Sequence, residues 1–337
     1  MVTLIGTSRG IYCTDTQTQA TCSSASQPVC PEAKGVRDLQ LIQGVYFAGT
    51  RHGLFRSTDA TDWEPSGLAD YEVWQIRASE HDGTTRLYAS CQPASLFSSD
   101  DLGQTWQEIQ SFRQHPEAQS WCVPIDPPLP GQARALVTGP NTLWVGVEVG
   151  GIMISRDGGE SWSLVLPGEN PDIHMLFAHP TDPDTLFVST GYGRLDGIAE
   201  MVEGNAGVFR STDAGQTWEY IWSGVTPRYS RPMCIDNRAP FALTVAAAPT
   251  AFSHYKQEPG AQACLFQSLD EGKSWKNLGD RDHNPSAANF HGLCVDANVA
   301  GGVVTGTDSG EVWRVSPDNS WQQIASGLPA VTALLSV

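Results

Sequence analysis

Lysine is nearly missing from this chain: four residues in 337, beside 37 acidic side chains and a net charge of −17. Nucleic acids and anionic bilayers are gripped through basic patches, so neither is an expected partner. No stretch approaches the roughly 20 apolar residues that span a bilayer. The opening MVTLIGTSRGIY reads as a strand, without the basic region and long apolar segment of a secretory signal. No C-x-x-C pair occurs among the eight cysteines. Cys122, Cys234 and Cys294 fall in similar strings (WCVPID, RPMCID, HGLCVD) that read as inner strands, where a small buried thiol packs well. Cys22 and Cys30 are spaced to bridge one loop, and that disulfide is left open; the expected compartment is a reducing cytoplasm. No P-loop is present and no G-x-G-x-x-G follows a strand, so kinase and nicotinamide chemistry are not expected, nor is acyl-serine chemistry.

What the chain does have is a repeat. Seven times a short strand runs into a Ser/Thr-x-Asp turn, and in six of the seven a Trp follows. The cleanest copies are FSSDDLGQTW at Phe97–Trp106, ISRDGGESW at Ile154–Trp162, FRSTDAGQTW at Phe209–Trp218 and FQSLDEGKSW at Phe266–Trp275. FRSTDATDW at Phe55–Trp63, WRVSPDNSW at Trp313–Trp321 and a Trp-less IYCTD at Ile11–Asp15 are degenerate. The matching strand positions lie 43, 42, 56, 56, 57 and 47 residues apart. A period of that size, with several short strands per unit, predicts an all-β, seven-bladed propeller of four-stranded antiparallel blades. Residues 1–337 then form a single domain.

Each unit resembles the Asp-box, or BNR, repeat S-x-D-x-G-x-T/S-W of sialidases, sortilin-like domains, xyloglucanases and the photosystem II assembly factor. The resemblance covers nearly the whole chain and speaks to fold, because the box occurs on enzymes and non-enzymes alike. Physically the box is a hairpin lock: Asp accepts amide bonds inside its own turn, Gly supplies positive φ, and Trp buries a ring between blades. The chain is most similar to bacterial single-propeller BNR proteins labelled sialidase-like or glycosyl-hydrolase-like, whose DxH, E-x-G-G and RY strings match Asp172–His174, Glu148–Gly151 and Arg228–Tyr229. That label carries no established reaction. A true sialidase would need an arginine triad and a Tyr/Glu nucleophile pair, and Arg9, Arg51 and Arg231 have no such pair beside them.

Within a unit the strands read as inner A, then B, C and D. Antiparallel order puts the boxes, at the C–D turns, on one face; the D–A and B–C connections share the other, where propellers usually hold ligands. The start of the chain supplies strands B and C, and Val331–Ser336 is expected to pair beside Val2–Thr7 and close the ring, removing both free edges. Two B–C connections, 191–207 and 249–263, are long enough to wall or roof a site.

Aligning the inner strands on Ile76, Val123, Leu176, Met233 and Leu293 places Trp74, Trp121, His174, Arg231 and His291 at one height around the channel mouth. The B–C turns add Arg51, His52, Glu148 and Asp308. Glu148 interrupts the apolar run LWVGVEVGGIMI, and a buried carboxylate there requires an arginine or a metal as partner. His174, His291, His52 and Glu148 form a candidate divalent metal set, zinc being the natural ion for imidazole and carboxylate. Arg231, with Arg228 and Tyr229 just before it, is a candidate grip for a carboxylate or phosphate. Two readings follow. In the first, a hydrolase or lyase acts on a small polar or sugar-like molecule, with His174, His291 and Glu148 as catalytic groups and Arg231, Trp74, Trp121, Arg51, Tyr229 and Asp308 as the binding wall. In the second, the ring is a non-catalytic binding or assembly propeller, similar in role to the photosystem II assembly factor. A sialidase-type glycosidase is the less favoured enzyme.

Overall fold

Short runs of Val, Ile, Leu, Phe and Ala broken by Gly, Asp and Pro favour strands and turns throughout, and in the computed structural model nearly all of the regular secondary structure is strand. It describes residues 2–15, 27–81, 83–192 and 201–337. Seven antiparallel sheets follow one another around a ring. The third blade runs Glu72–His81 (A), Thr84–Gln92 (B), Ser95–Ser99 (C) and Gln107–Glu108 (D). The other inner strands are Asp38–Ile42, Gln132–Thr138, Ile173–His179, Tyr229–Ile235, Phe290–Val295 and, for the first blade, Val331–Ser336. Leu4 faces Leu335 and Ile5 faces Leu334 across Val2–Thr7, so the C-terminal strand closes the ring as expected. The first blade shows three strands, with a bridge from Ile11 to Cys30 at its outer edge. Cys22, one half of the anticipated disulfide, lies outside the described residues.

The core is divided among the blade interfaces. Each apolar cluster joins two neighbours: Phe47 and Leu54 meet Ile76 and Leu87 between blades two and three, and Phe187 and Trp222 meet Met233 and Leu243 between five and six. The boxes lock this arrangement. In the third blade Asp101 Oδ1 accepts from the Ser99 hydroxyl at 2.8 Å and the Thr105 amide at 2.9 Å, while its Oδ2 accepts from the Thr105 hydroxyl at 2.6 Å. Ser99 Oγ in turn accepts from the Gly103 amide at 2.9 Å. Asp157, Asp213 and Asp270 repeat the pattern. Gly272 shows why the turn wants glycine: φ is +86°, and a Cβ there would lie 2.2 Å from Ile221 Cδ1. The Trp indoles of four boxes reach the chain just after the preceding blade's D strand: Trp106 donates to Ser66 O, Trp162 to Ser111 Oγ, Trp275 to Ile221 O and Trp321 to Leu278 O. Trp63 and Trp218 donate within their own turns.

One inner strand is not where the sequence pattern placed it. Strand A of the fourth blade is Gln132–Thr138; Cys122–Val123 pairs with Leu129–Pro130 in a separate two-stranded ribbon. Residues 110–131 are an insertion, and its WCVPID string imitates the inner strands of other blades without occupying their place.

Candidate functional site at the channel mouth

Strand A begins with the same irregularity in six of the seven blades. The A–B register slips by one residue at Thr332, Trp74, Arg134, His174, Arg231–Pro232 and His291. A β-bulge breaks the in–out alternation and re-aims the extra side chain. Here it turns large polar side chains toward the axis at the end of the ring opposite the boxes. Trp74, Arg134, Arg231, His291 and Thr332 accordingly line one cavity of about 320 Å³, with Arg37 and Asp38 from the second blade, Met175 from the fifth, His254 from the 249–263 loop and Asp308 from the seventh. No box residue lines it.

The charges on its wall are unevenly paired. Arg37 Nε donates to Glu72 at 2.5 Å, and Arg134 Nη1 to Glu148 at 2.6 Å. Both guanidinium groups also lie over Trp74, at 4.4 and 5.0 Å from its ring centroid. Asp38 is committed to Arg77 and to the Ile76 amide, each at 2.8 Å. Asp308 accepts the amides of Asn289 and Tyr255 and stands 3.6 Å from His254 Nε2. The Arg231 guanidinium makes no hydrogen bond and no ion pair with any described residue, while its backbone carbonyl accepts from Ser189 Oγ at 3.1 Å. The buried indole Nε1 of Trp74 is likewise without a partner. Burial, and then Arg134, hold Arg231 below the usual arginine range. For Arg134 burial acts downward, but Glu148, with Tyr229 and Asp172, more than offsets it. His291 is pushed down to about 3 by burial and by Arg231 and Arg134, so it is neutral at physiological pH. Burial raises Asp308 above the usual carboxyl range.

His174 does not line the cavity. It is fully buried beneath the rim, its Nδ1 2.6 Å from the Ser230 carbonyl and its ring edge-on to Tyr229 at 4.7 Å. A carbonyl only accepts, so Nδ1 carries the hydrogen. Nε2 then faces Asp172 Oδ1 at 3.4 Å. Glu148, Asp172 and His174 each present a ligand atom within 4.8 Å of the others, so three side chains fit a cation in part. The buried Arg134 bonded to Glu148 already supplies the positive charge that a metal would bring. This answers the question Glu148 posed in the sequence: its partner is an arginine. Burial raises Asp172, but His174, Arg134 and Arg231 outweigh it and its carboxyl ends below the usual range.

The remaining candidates are dispersed. Trp121 is buried in the insertion against Phe112, ring centroids 5.0 Å apart, and belongs to the core between blades three and four. Arg134 holds the position assigned to it. Arg51 and His52 are exposed on the turn before Gly53–Ser57, so the four-residue metal set is not assembled. Tyr229 is buried against His174 with its hydroxyl pushed up to about 12, by burial first. Among described residues the 191–207 connection adds nothing to the main cavity; Met201 lines a separate groove with Arg228 and Pro249. The string Gly6–Gly10 spells G-x-S-x-G, but it is the turn of the Val2–Thr7 hairpin, with Ser8 exposed, and not a strand-to-helix nucleophile elbow. Sequence reasoning missed Arg37, Arg134, Asp172 as the His174 partner, and His254. For Arg134 the signal was present: ARALVT runs directly into LWVGVE as A into B does elsewhere.

A family model for the BNR/Asp-box repeat matches residues 153–164, the box of the fourth blade. An oligoxyloglucan-reducing end-specific xyloglucanase of Emericella nidulans is 26% identical over 291 residues, which cover 71% of this chain and 32% of that protein. The chain thus spans about a third of that relative's length. Among solved structures, YCF48 bound to D1 peptide aligns with a TM-score of 0.56 at 16% identity, over 87% of this chain and 83% of that one. The GH74 xyloglucanase of Xanthomonas campestris aligns at 0.59 and 15%, over 86% and 45%. At these identities the likeness to solved structures is one of fold. Boxes, blades and matches agree: the chain is a seven-bladed β-propeller built on the BNR/Asp-box repeat.

Proposed function

We propose that the channel mouth binds a small anionic molecule of sugar-like size and that the chain acts on it as a hydrolase or lyase. Arg231 carries the reading. A guanidinium drawn part-way out of water without a hydrogen-bonded counter-ion is costly, and this one, half-buried, faces a cavity large enough for a monosaccharide acid. A ligand carboxylate or phosphate relieves that cost and suits the planar fork of arginine. Arg134, held by Glu148, stands as the second positive group, and the Trp74 indole offers a ring face and a spare N–H. His291 and Asp308 are the acid–base candidates, one neutral imidazole and one carboxyl raised by burial. The hydrolase class is supported by the similarity to a xyloglucanase. His174 and Glu148 act in this reading as positioning residues that hold strand A and Arg134.

The second reading is a non-catalytic propeller whose mouth holds a peptide carboxylate. Its support is one of extent: the chain covers 83% of a YCF48 structure named for its bound D1 peptide, but 45% of a GH74 xyloglucanase. Glucuronate titrated by calorimetry tests the shared premise. Arg231→Met is expected to weaken glucuronate binding about 10- to 100-fold, the worth of a charged hydrogen bond. The same change should raise Tm, because an unpaired guanidinium gives way to an apolar side chain. Unchanged affinity with a lowered Tm would make Arg231 a brace and overturn the proposal. Turnover of a glucuronide by the intact protein separates enzyme from scaffold.

A further inference from the structure

We infer that the mouth takes up its anion together with a proton, and that the proton resides on the imidazole of His291. This rests on the anion site proposed above. His291 lines the same cavity as Arg37, Arg134 and Arg231, and no described residue hydrogen-bonds its ring. The other groups facing that space are committed. Arg37 and Arg134 hold Glu72 and Glu148, and Asp38 holds Arg77. Asp308 holds two amides and stands near His254. What keeps His291 neutral in the empty mouth is burial, followed by repulsion from Arg231, Arg134, His254 and Arg37. An anion seated among those guanidinium groups reverses the local field, since an opposite charge within about 4–6 Å favours the protonated imidazole.

The sign follows from linkage. Protonation that is unfavourable in the empty site and favourable in the occupied one makes binding tighten as pH falls. The slope reaches about tenfold in affinity per pH unit between the empty and occupied values of His291. The lower of these is about 3. The chemical consequence is that the ligand itself brings His291 into the range where an imidazole exchanges protons near neutrality. An empty mouth is then poorly reactive and an occupied one is armed.

Glucuronate, which does not titrate above about pH 5, is the probe. Calorimetry of the intact protein at pH 5.5–7.5, in two buffers of different ionisation enthalpy, reads protons taken up per anion bound. Uptake that grows as pH falls is expected, and in His291→Gln both the uptake and the tightening of glucuronate binding at low pH should vanish. In the unaltered protein the His291 ring signal in proton NMR should titrate at higher pH with glucuronate than without, which needs no variant to fold. Binding without proton uptake sinks the coupling and leaves the anion site standing. Uptake that persists in His291→Gln overturns the assignment and places the proton elsewhere, His254 being the other imidazole on the wall. No glucuronate binding at any pH overturns the anion site and the coupling with it.

Discussion

His174 illustrates how one buried side chain divides its duties. Its Nδ1–H serves the Ser230 carbonyl of the next blade, and its other nitrogen lies against Asp172. Removal of the ring strands both partners in a space water does not reach. His174→Ala should therefore cost about 2–4 kcal/mol in denaturant unfolding, from a lost large side chain and unsatisfied polar groups. Glu148→Gln removes the counter-charge of a buried arginine and should cost about 3 kcal/mol. Both changes are expected to lower Tm before they alter chemistry. Either variant folding at the parental Tm would return His174 or Glu148 to the candidate catalytic groups.

At the level of the element, the C–D turn is a carboxylate held by its own loop. Hydrogen bonds from Thr105 to Asp101, and from Thr217 to Asp213, depress these two carboxyls to about 2. A carboxyl with a depressed folded-state pKa contributes stability that is full above its unfolded value near 4 and is lost as pH falls toward 2. Asp213→Asn should leave stability at pH 3 nearer to its neutral-pH value than the parent's, while lowering stability at pH 7. Chemical unfolding at the two pH values checks this, and an unchanged acid limb would remove the box from the account. The bulge at the start of strand A is the complementary device. It costs ladder regularity at one end of the blade and turns Trp74, Arg134, Arg231 and His291 toward a common centre.

Across the whole molecule, stability is spread over the blade interfaces, and the ring holds because its last strand joins the first. Val331, Ala333 and Leu334 are buried in the seams that the first blade makes with the second and the seventh. Deleting residues 331–337 opens both seams and bares the edge of Val2–Thr7. A loss of about 5 kcal/mol or more is expected from the buried side chains alone, with broadened, less cooperative thermal unfolding by circular dichroism. Retention of a sharp transition at the parental temperature would show that the ring does not depend on its closure. The charge distribution is also a whole-molecule property: a chain of net charge −17 gathers three arginines at one mouth.

Local chemistry determined much of this protein from the sequence alone. The box needs only neighbours along the chain, so its Ser, Asp, Gly and Trp announce each C–D turn wherever they occur, and counting them yields seven blades and the closing strand. The long 249–263 connection was readable for the same reason, since it is a spacing between two recognisable strands. What the tertiary structure alone decided is which side chains meet across the axis. WCVPID has the composition of an inner strand, and only the pairing of Gln132–Thr138 with Leu143–Glu148 shows that Arg134, not Trp121, occupies the fourth blade's place. His174 and His291 hold equivalent positions in their strands, yet one is sealed under Tyr229 and the other open to the cavity. Both sit at the same one-residue bulge, so the packing of the next blade, Tyr229 and Ser230 against His174, decides that difference, and it arises from contacts between residues far apart in the chain. The partners of Glu148 and the lack of one for Arg231 belong to the same class, because a charge's environment is set by three-dimensional neighbours and not by sequence spacing.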